Sequence, residues 1–467
     1  MSQFSNFLND LVHEREISVK SLADSCGIDR TLLHKILSGK RKPPEGEFIK
    51  KVSERLLLSD EDYEELCQKY KMVQMGENVY SRRKKVAEII HSLSHIKNEN
   101  NQSFSFKTNL NISDTSNLST YYSQDDLIKN IQIILQYEVQ QKSDLYIIAQ
   151  PSNILNQILK YCVDTKGEIS IQHIFCLDNI PIEKSNDNYN LDAFLYVSQL
   201  VIDYKNYQPF YYYDIKKSHI NSTSVMPYVI ISRNFVICTD SDFNTGLICK
   251  MDNYVSFYMN QFDNLRAKSK MLLTSLHDSP SIEAFYRNAT LMNITYNYQS
   301  QIILCCDKKS FYDFVNGPDE FKKQACQLLE EIVQRHLNNK IENIFSEAGI
   351  KEFMATGKLL DFPEHLYTPI SINSRKKMLT RMIQLLEDDV WDYRIVKNEY
   401  DMFLHQLCIS GDSTHIDIQY AVDQSRCHIS LDEKSLIFAF VDYIQYLYES
   451  NKVYTKEETI EILKKYL

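Results

Sequence analysis

The chain has 467 residues, 43% of them hydrophobic, which is enough to bury the cores of two or three domains. Eleven cysteines fall at no regular spacing, the first residues form no apolar leader, and no run approaches the roughly 18 apolar residues that span a bilayer. A disulfide-stapled scaffold and a membrane protein are therefore not expected, and a reduced, cytoplasmic protein is. Net charge is −10 but unevenly spread: residues 1–97 hold 17 of the 52 Lys+Arg and only 15 of the 62 Asp+Glu, so the acidic excess lies beyond them. An acidic body behind a slightly basic start argues against a second large nucleic-acid surface.

Phe4 to Arg15 reads as an amphipathic helix, with Phe4, Phe7, Leu8, Leu11 and Val12 on one face. A second helical run, Ser18 to Cys26, stops at Gly27, which adopts positive φ without steric cost. Asp29 is a good N-cap, and a third run begins at Arg30. Ala23 is small enough for two helices to approach closely, and Leu22, Ile28, Leu33 and Ile36 share inner faces. That phase turns Arg30, Thr31, His34 and Lys35 outward. Gly39 closes the helix, and Lys40, Arg41 and Lys42 precede Pro43 and Pro44. Between Arg30 and Lys42 there are five cations and no acid. Arg, Thr and Lys on an outward helix face suit base edges in a major groove, and a Lys-Arg-Lys loop suits phosphates.

The pattern Ala23-x3-Gly27-Ile28-x4-Leu33-x2-Ile36-x2-Gly39-x3-Pro43 resembles the Cro/repressor (XRE-type) helix-turn-helix, over about residues 3–72. The resemblance implies base-reading roles for Arg30, Thr31 and Lys35, and phosphate contacts for Ser18, Ser38 and Lys40. Two positions depart from the family. Val19 stands where many members carry glutamine, and Leu32 where a small polar residue is commoner.

Glu47 to Leu57 and a run capped by Ser59 and reaching Met72 complete five short helices. Gly76 to Ile96 reads as a further helix whose Arg82, Arg83, Lys84 and Lys85 are expected on a solvated face, with extra phosphate contact or a helix coupling reader to sensor as the alternative. Residues 97–119 are polar, poor in aliphatics, and read as a linker. From Thr120 helices alternate with strands: Asp125–Gln140 helical, Leu145–Gln150 extended, Ser152–Val163 helical, Ile169–Leu177 extended, Asn190–Tyr204 helical. Strands follow at Phe210–Tyr213, Tyr228–Ser232, Phe235–Thr239 and Leu247–Met251, then a helix at Tyr254–Leu272. This layout, ending in Asn253 to Lys270, resembles phospholipase-D-like sensor domains. Their catalytic His-x-Lys-x4-Asp signature is absent: His95-Ile96-Lys97 is the only His-x-Lys, and Gln102 stands at the Asp position. The last part reads as helix Ser281–Asn293, strand Gln301–Cys306, helix Asp319–Leu337, a helical stretch within Asn343–Leu359, and helix Ser374–Asp388. Short strands at Tyr393–Lys397, Leu404–Ile409, His415–Tyr420 and Cys427–Ser430 and two closing helices end it. No sequence repeat relates the two parts.

Three constellations carry residue types with chemical potential. Gly349 and Gly357-Lys358 suggest a phosphate loop, but the spacing is too long and Leu359 replaces the magnesium-holding hydroxyl. His405, Cys408, His415, Cys427 and His428 crowd together without a Cys-x2-Cys, so core cysteines are expected and a zinc site is not. Tyr211-Tyr212-Tyr213 reads as half-buried strand residues.

The expectation is a multidomain protein. An all-α helix-turn-helix domain (1–72) and a connecting helix and linker (73–119) lead to an α/β (mixed α+β) sensor body of two modules (120–275 and 276–467). The expected function is transcriptional regulation on double-stranded DNA by a homodimer answering a small-molecule or peptide effector, with no membrane partner, no cofactor, no metal and no enzymatic activity. A DNA-tethered enzyme and a peptide-responsive helical-repeat regulator are the alternatives.

Overall fold

A computed structural model describes residues 2–94, 117–160, 169–179, 188–204, 206–214, 225–277, 294–338, 341–360, 364–398, 407–412, 414–422 and 425–467. The expected helix Ser281–Asn293, the His95-Ile96-Lys97 triplet, most of the linker and His405 lie outside these residues. The fold class is as expected: a helical N-terminal region followed by a mixed α/β body. The chain divides into two compact units, with the boundary between Lys85 and Val86.

The first unit is built from α1 (Gln3–Glu14), α2 (Val19–Cys26), α3 (Arg30–Leu37), α4 (Phe48–Leu56), α5 (Asp60–Met75) and the start of α6 (Glu77–Ser94). Its starts are locally encoded. Ser2, Ser18, Asp29 and Ser59 each accept a hydrogen bond from an amide in the first turn of the helix they precede. The core is one cluster in which Phe4, Leu8, Leu22, Leu33, Ile36, Val52 and Leu66 are fully or almost fully buried. Hydrogen bonds tie α1 to the end of α3: Ser5 Oγ donates to Ile36 O (2.7 Å) and Asn9 Nδ2 to Leu37 O (2.7 Å). The α6 cations are not all solvated: Lys84 is exposed, but Arg82 is 6% exposed.

The second unit holds two sheets. In chain order its elements are β1 (Leu118–Tyr121), α7 (Gln124–Gln140), β2 (Leu145–Ile148), α8 (Asn153–Lys160), β3 (Ile171–Asp178), α9 (Tyr189–Asp203), β4 (Tyr207–Asp214), β5 (Tyr228–Ile231), β6 (Val236–Thr239) and β7 (Gly246–Cys249). Next come α10 (Asp252–Arg266), β8 (Lys270–Met271), β9 (Leu273–His277), β10 (Ile294–Asn297), α11 (Lys308–Phe314), α12 (Asp319–Asn338), β11 (Glu342–Phe345), α13 (Glu347–Thr356) and α14 (Ile372–Glu387). β12 (Asp392–Ile395), β13 (Leu407–Gly411), β14 (Ile416–Val422), β15 (Ser425–Leu431), α15 (Lys434–Glu449) and α16 (Lys456–Lys464) complete it.

The two sheets are topological copies apart from β8, which extends the first beyond β4. One runs β1-β7-β6-β5-β2-β3-β4-β8, the other β9-β15-β14-β13-β10-β11-β12. In each, three adjacent strands are parallel (β2, β3, β4; β10, β11, β12) and continue into an antiparallel run (β5, β6, β7; β13, β14, β15). The first strand of each copy, β1 or β9, closes the far edge antiparallel to β7 or β15. A helix follows each run, α10 after β7 and α15 after β15. Sequence comparison missed this duplication because it lives in strand order and register, which tolerate replacement of nearly every side chain.

Several local expectations are corrected. Gln301–Cys306 is no strand: Ile302–Cys305 forms a 3₁₀ turn, buried throughout, so its apolar run marks burial rather than pairing. The helical reading of Asn343–Leu359 misses β11, a parallel strand buried on both faces, before α13 begins. α10 stops at Arg266, and the residues after it form β8 and β9. Gly349 lies within α13. A Cβ there would lie 2.0 Å from Tyr298 O, so the helix can approach that backbone only without a side chain.

Candidate DNA interface

The α2–α3 turn has the geometry its residues dictate. Gly27 caps α2 in the left-handed region at φ 67°, and its amide bonds to Ala23 O and Asp24 O. Asp29 caps α3 by accepting from the Thr31 amide at 2.7 Å, and that contact with Thr31 holds its carboxyl below the usual carboxylate range. Leu33 and Ile36 are fully buried, which fixes the rotation of α3. All nine residues expected at the interface, Ser18, Arg30, Thr31, His34, Lys35, Ser38, Lys40, Arg41 and Lys42, are exposed.

Not all are equally free. Ser18 Oγ accepts from the Ser21 amide at 3.2 Å as the cap of α2. Ser38 Oγ donates to Lys35 O at 3.1 Å, and Lys42 Nζ donates to Gln74 O at 2.8 Å. Lys42 thus doubles as a tether of the loop that carries it. Sequence reasoning missed the other half of that tether. Gln74 Nε2 donates to Pro43 O (2.6 Å) and Tyr70 OH to Pro44 O (2.8 Å), so α5 holds the basic loop from behind. Both residues lie 26 to 31 positions away in sequence, and neither Tyr nor Gln in a helix announces such a role. Between α3 and this loop lies an open groove of about 610 Å³, lined by Thr31, Lys35, Arg41, Lys42, Pro43 and Gln74 among others. Val19 and Leu32, the two departures, are half-buried and pack against the core.

Of His405, Cys408, His415, Cys427 and His428 in the second unit, Cys408 and His415 have described side chains, and these take separate partners. Cys408 is buried and its thiol donates to Asn297 Oδ1 at 2.8 Å. His415 Nε2 instead lies 3.1 Å from Asp417 Oδ1 and 2.8 Å from Ser430 Oγ, while Ser430 Oγ donates to Asp417 Oδ1 at 2.7 Å. Because one ring nitrogen serves both partners, this is a triangle and not a Ser–His–Asp relay. Among the described residues no three His, Cys, Asp or Glu gather to hold a metal ion, and no helix is long and apolar enough to cross a membrane.

No family profile matches the chain, and no curated protein matches it. Among solved structures it is similar to phosphatidylserine synthase of Haemophilus influenzae Rd KW20, at 10% identity over 75% of this chain and 92% of that one, TM-score 0.23. It is similar to TrmBL2, an archaeal chromatin protein with a novel mode of DNA binding, at 12% identity over 52% and 81%, TM-score 0.22. Polyphosphate kinase of Porphyromonas gingivalis matches at 11% identity over 74% and 55%, TM-score 0.23. None of the three is named as an XRE-type regulator. The expectation that the chain is not an enzyme is corrected: two of the three are named as a synthase and a kinase, and that expectation no longer stands.

Proposed function

We propose that the chain binds double-stranded DNA through α2 and α3, as a transcriptional regulator. In this reading Arg30, Thr31 and Lys35 meet base edges in a major groove, with His34 beside them. Ser18, Ser38, Lys40, Arg41 and Lys42 meet phosphates. The observation that carries it is an outward face with cations and no acid from Arg30 to Lys42, set by burial of Leu33 and Ile36 and backed by a loop pinned to α5. A homodimer would place two such helices on half-sites about one helical turn apart, with the body responding to an effector.

The test is fluorescence anisotropy of the full chain on a selected duplex, with a salt titration. Arg30→Ala should cost about 1–3 kcal/mol on the preferred sequence and relax preference at one base pair. Lys40→Ala should weaken all sequences alike and lower the salt slope by about 1. Identical behaviour of the two variants would overturn the assignment of roles, and unchanged affinity in both would overturn the interface.

A second reading, a catalytic body carried to DNA by the same reader, is favoured by the buried Asp417 carboxylate beside the partly exposed His415 ring in the second unit. Turnover lost in Asp417→Asn with DNA affinity unchanged would establish it.

A further inference from the structure

The duplication allows one module to be read against the other, position by position. Both hairpins after the parallel strands turn through four residues, between Ile231 and Val236 and between Gly411 and Ile416, and this fixes the correspondence. Across the first sheet one row of paired residues runs His173, Ile147, Ile230, Ile237, Ile248. The equivalent row of the second sheet runs Asn343, Thr295, Ser410, Asp417, Ser430. Four consecutive isoleucines are replaced by Thr, Ser, Asp and Ser. At strand spacing the row is about 19 Å long.

The fold does not require this polarity, since the same strands in the same order are filled by isoleucine in the other copy. Nor is the row a solvated face. Thr295, Ser410, Asp417 and Asn343 are 1%, 4%, 0% and 0% exposed. Thr295 Oγ1, both amide atoms of Asn343, and Nδ2 of fully buried Asn297, which shares this face, meet no partner among the described residues. Buried polar groups are almost always paired, so such a concentration on one face calls for a partner beyond the described residues. Asp417, fourth of the five, is held by Ser430 and His415, and the His415 side chain is 36% exposed against 1% for Asp417, which gives the row a route to solvent.

We propose that this row is a binding site for a small molecule that carries several O–H or N–H donors and no negative charge, a sugar or a nucleoside. The chemistry selects the class. A carboxylate, three hydroxyls and two amides accept and share hydrogen bonds from such groups, and the row offers no Lys or Arg to balance an anion. The site lies wholly in the second unit and is independent of whether the first unit binds DNA.

The test is thermal melting and calorimetric titration of the full chain with D-glucose, with adenosine, and with inorganic phosphate as the anionic control. The expected result is a rise of about 2 °C or more with glucose or adenosine and none with phosphate, and which of the two acts identifies the source of the donors. Asp417→Asn should weaken that binding at least tenfold while leaving DNA affinity unchanged. The triple variant Thr295→Ile, Asp417→Ile, Ser430→Ile, which copies the first module, should abolish it. No shift with either neutral molecule, a shift only with phosphate, or a shift undiminished in Asp417→Asn would overturn the proposal. A triple variant that melts at or above the parent, with neither molecule shifting the parent, would mean ordered water only.

Discussion

His173 makes the most quantitative prediction. Its ring is fully buried on β3, with Nδ1 2.6 Å from Tyr207 OH and Nε2 2.9 Å from Ala149 O. A carbonyl can only accept, so Nε2 carries the proton, and Nδ1 accepts from the tyrosine hydroxyl. The native ring is neutral, and burial pushes its pKa from 6.5 down to about 4. The sign follows from which state binds the proton first. As pH falls below 6.5 the unfolded chain protonates its histidine while the native one does not, so native stability is full above 6.5 and declines toward pH 4. Between pH 7.5 and pH 5 the loss from this one group is about 2 kcal/mol, and it approaches about 3 kcal/mol near pH 4. Urea unfolding of the full chain, followed by the far-ultraviolet signal across this range, measures it. His173→Gln, which cannot titrate, should be destabilised at pH 7.5 yet should show a pH profile flatter by that amount. Parallel profiles for parent and variant would refute the reasoning, because they would mean that the native ring already accepts a proton near its ordinary pKa.

Other outcomes follow from single contacts. Gly27→Ala places a Cβ in open space but in the left-handed region, so it should destabilise the first unit by about 1–2 kcal/mol through the backbone alone, read as a lower urea midpoint. Gly349→Ala meets backbone at 2.0 Å, with no flexible side chain to yield, and should cost about 3 kcal/mol or more, read from the melting of the second unit. Tyr70→Phe with Gln74→Ala removes both side-chain bonds from α5 to the basic loop; about 1 kcal/mol of stability per bond should go, and DNA affinity should fall with a smaller salt slope if the loop contacts phosphates. Melting and anisotropy on the same sample separate the two effects.

The α2–α3 turn was legible because each of its instructions is local. Gly27 ends a helix, Asp29 starts one two residues later, and the spacing of Leu33 and Ile36 fixes which face of α3 turns outward. None of this needs a distant partner. The clasp on the basic loop was not legible, because Tyr70 and Gln74 act through tips that reach across to Pro44 and Pro43.

In the second unit the balance is reversed. Alternation announced strands and helices, which is enough for an α/β body. It could not say that Ile302–Cys305 coils while Glu342–Phe345 pairs, since burial on all sides erases the period that separates strand from turn. The duplication and the polar row were decided only by tertiary structure. Thr295 and Ser410 stand 115 residues apart, and each taken alone is an unremarkable small polar residue in a strand. Only register places them side by side with Asp417 and Ser430, and only tertiary packing removes them from water. Caps and turns are written in neighbouring residues, whereas a sheet row is assembled from strands whose pairing no stretch of sequence contains.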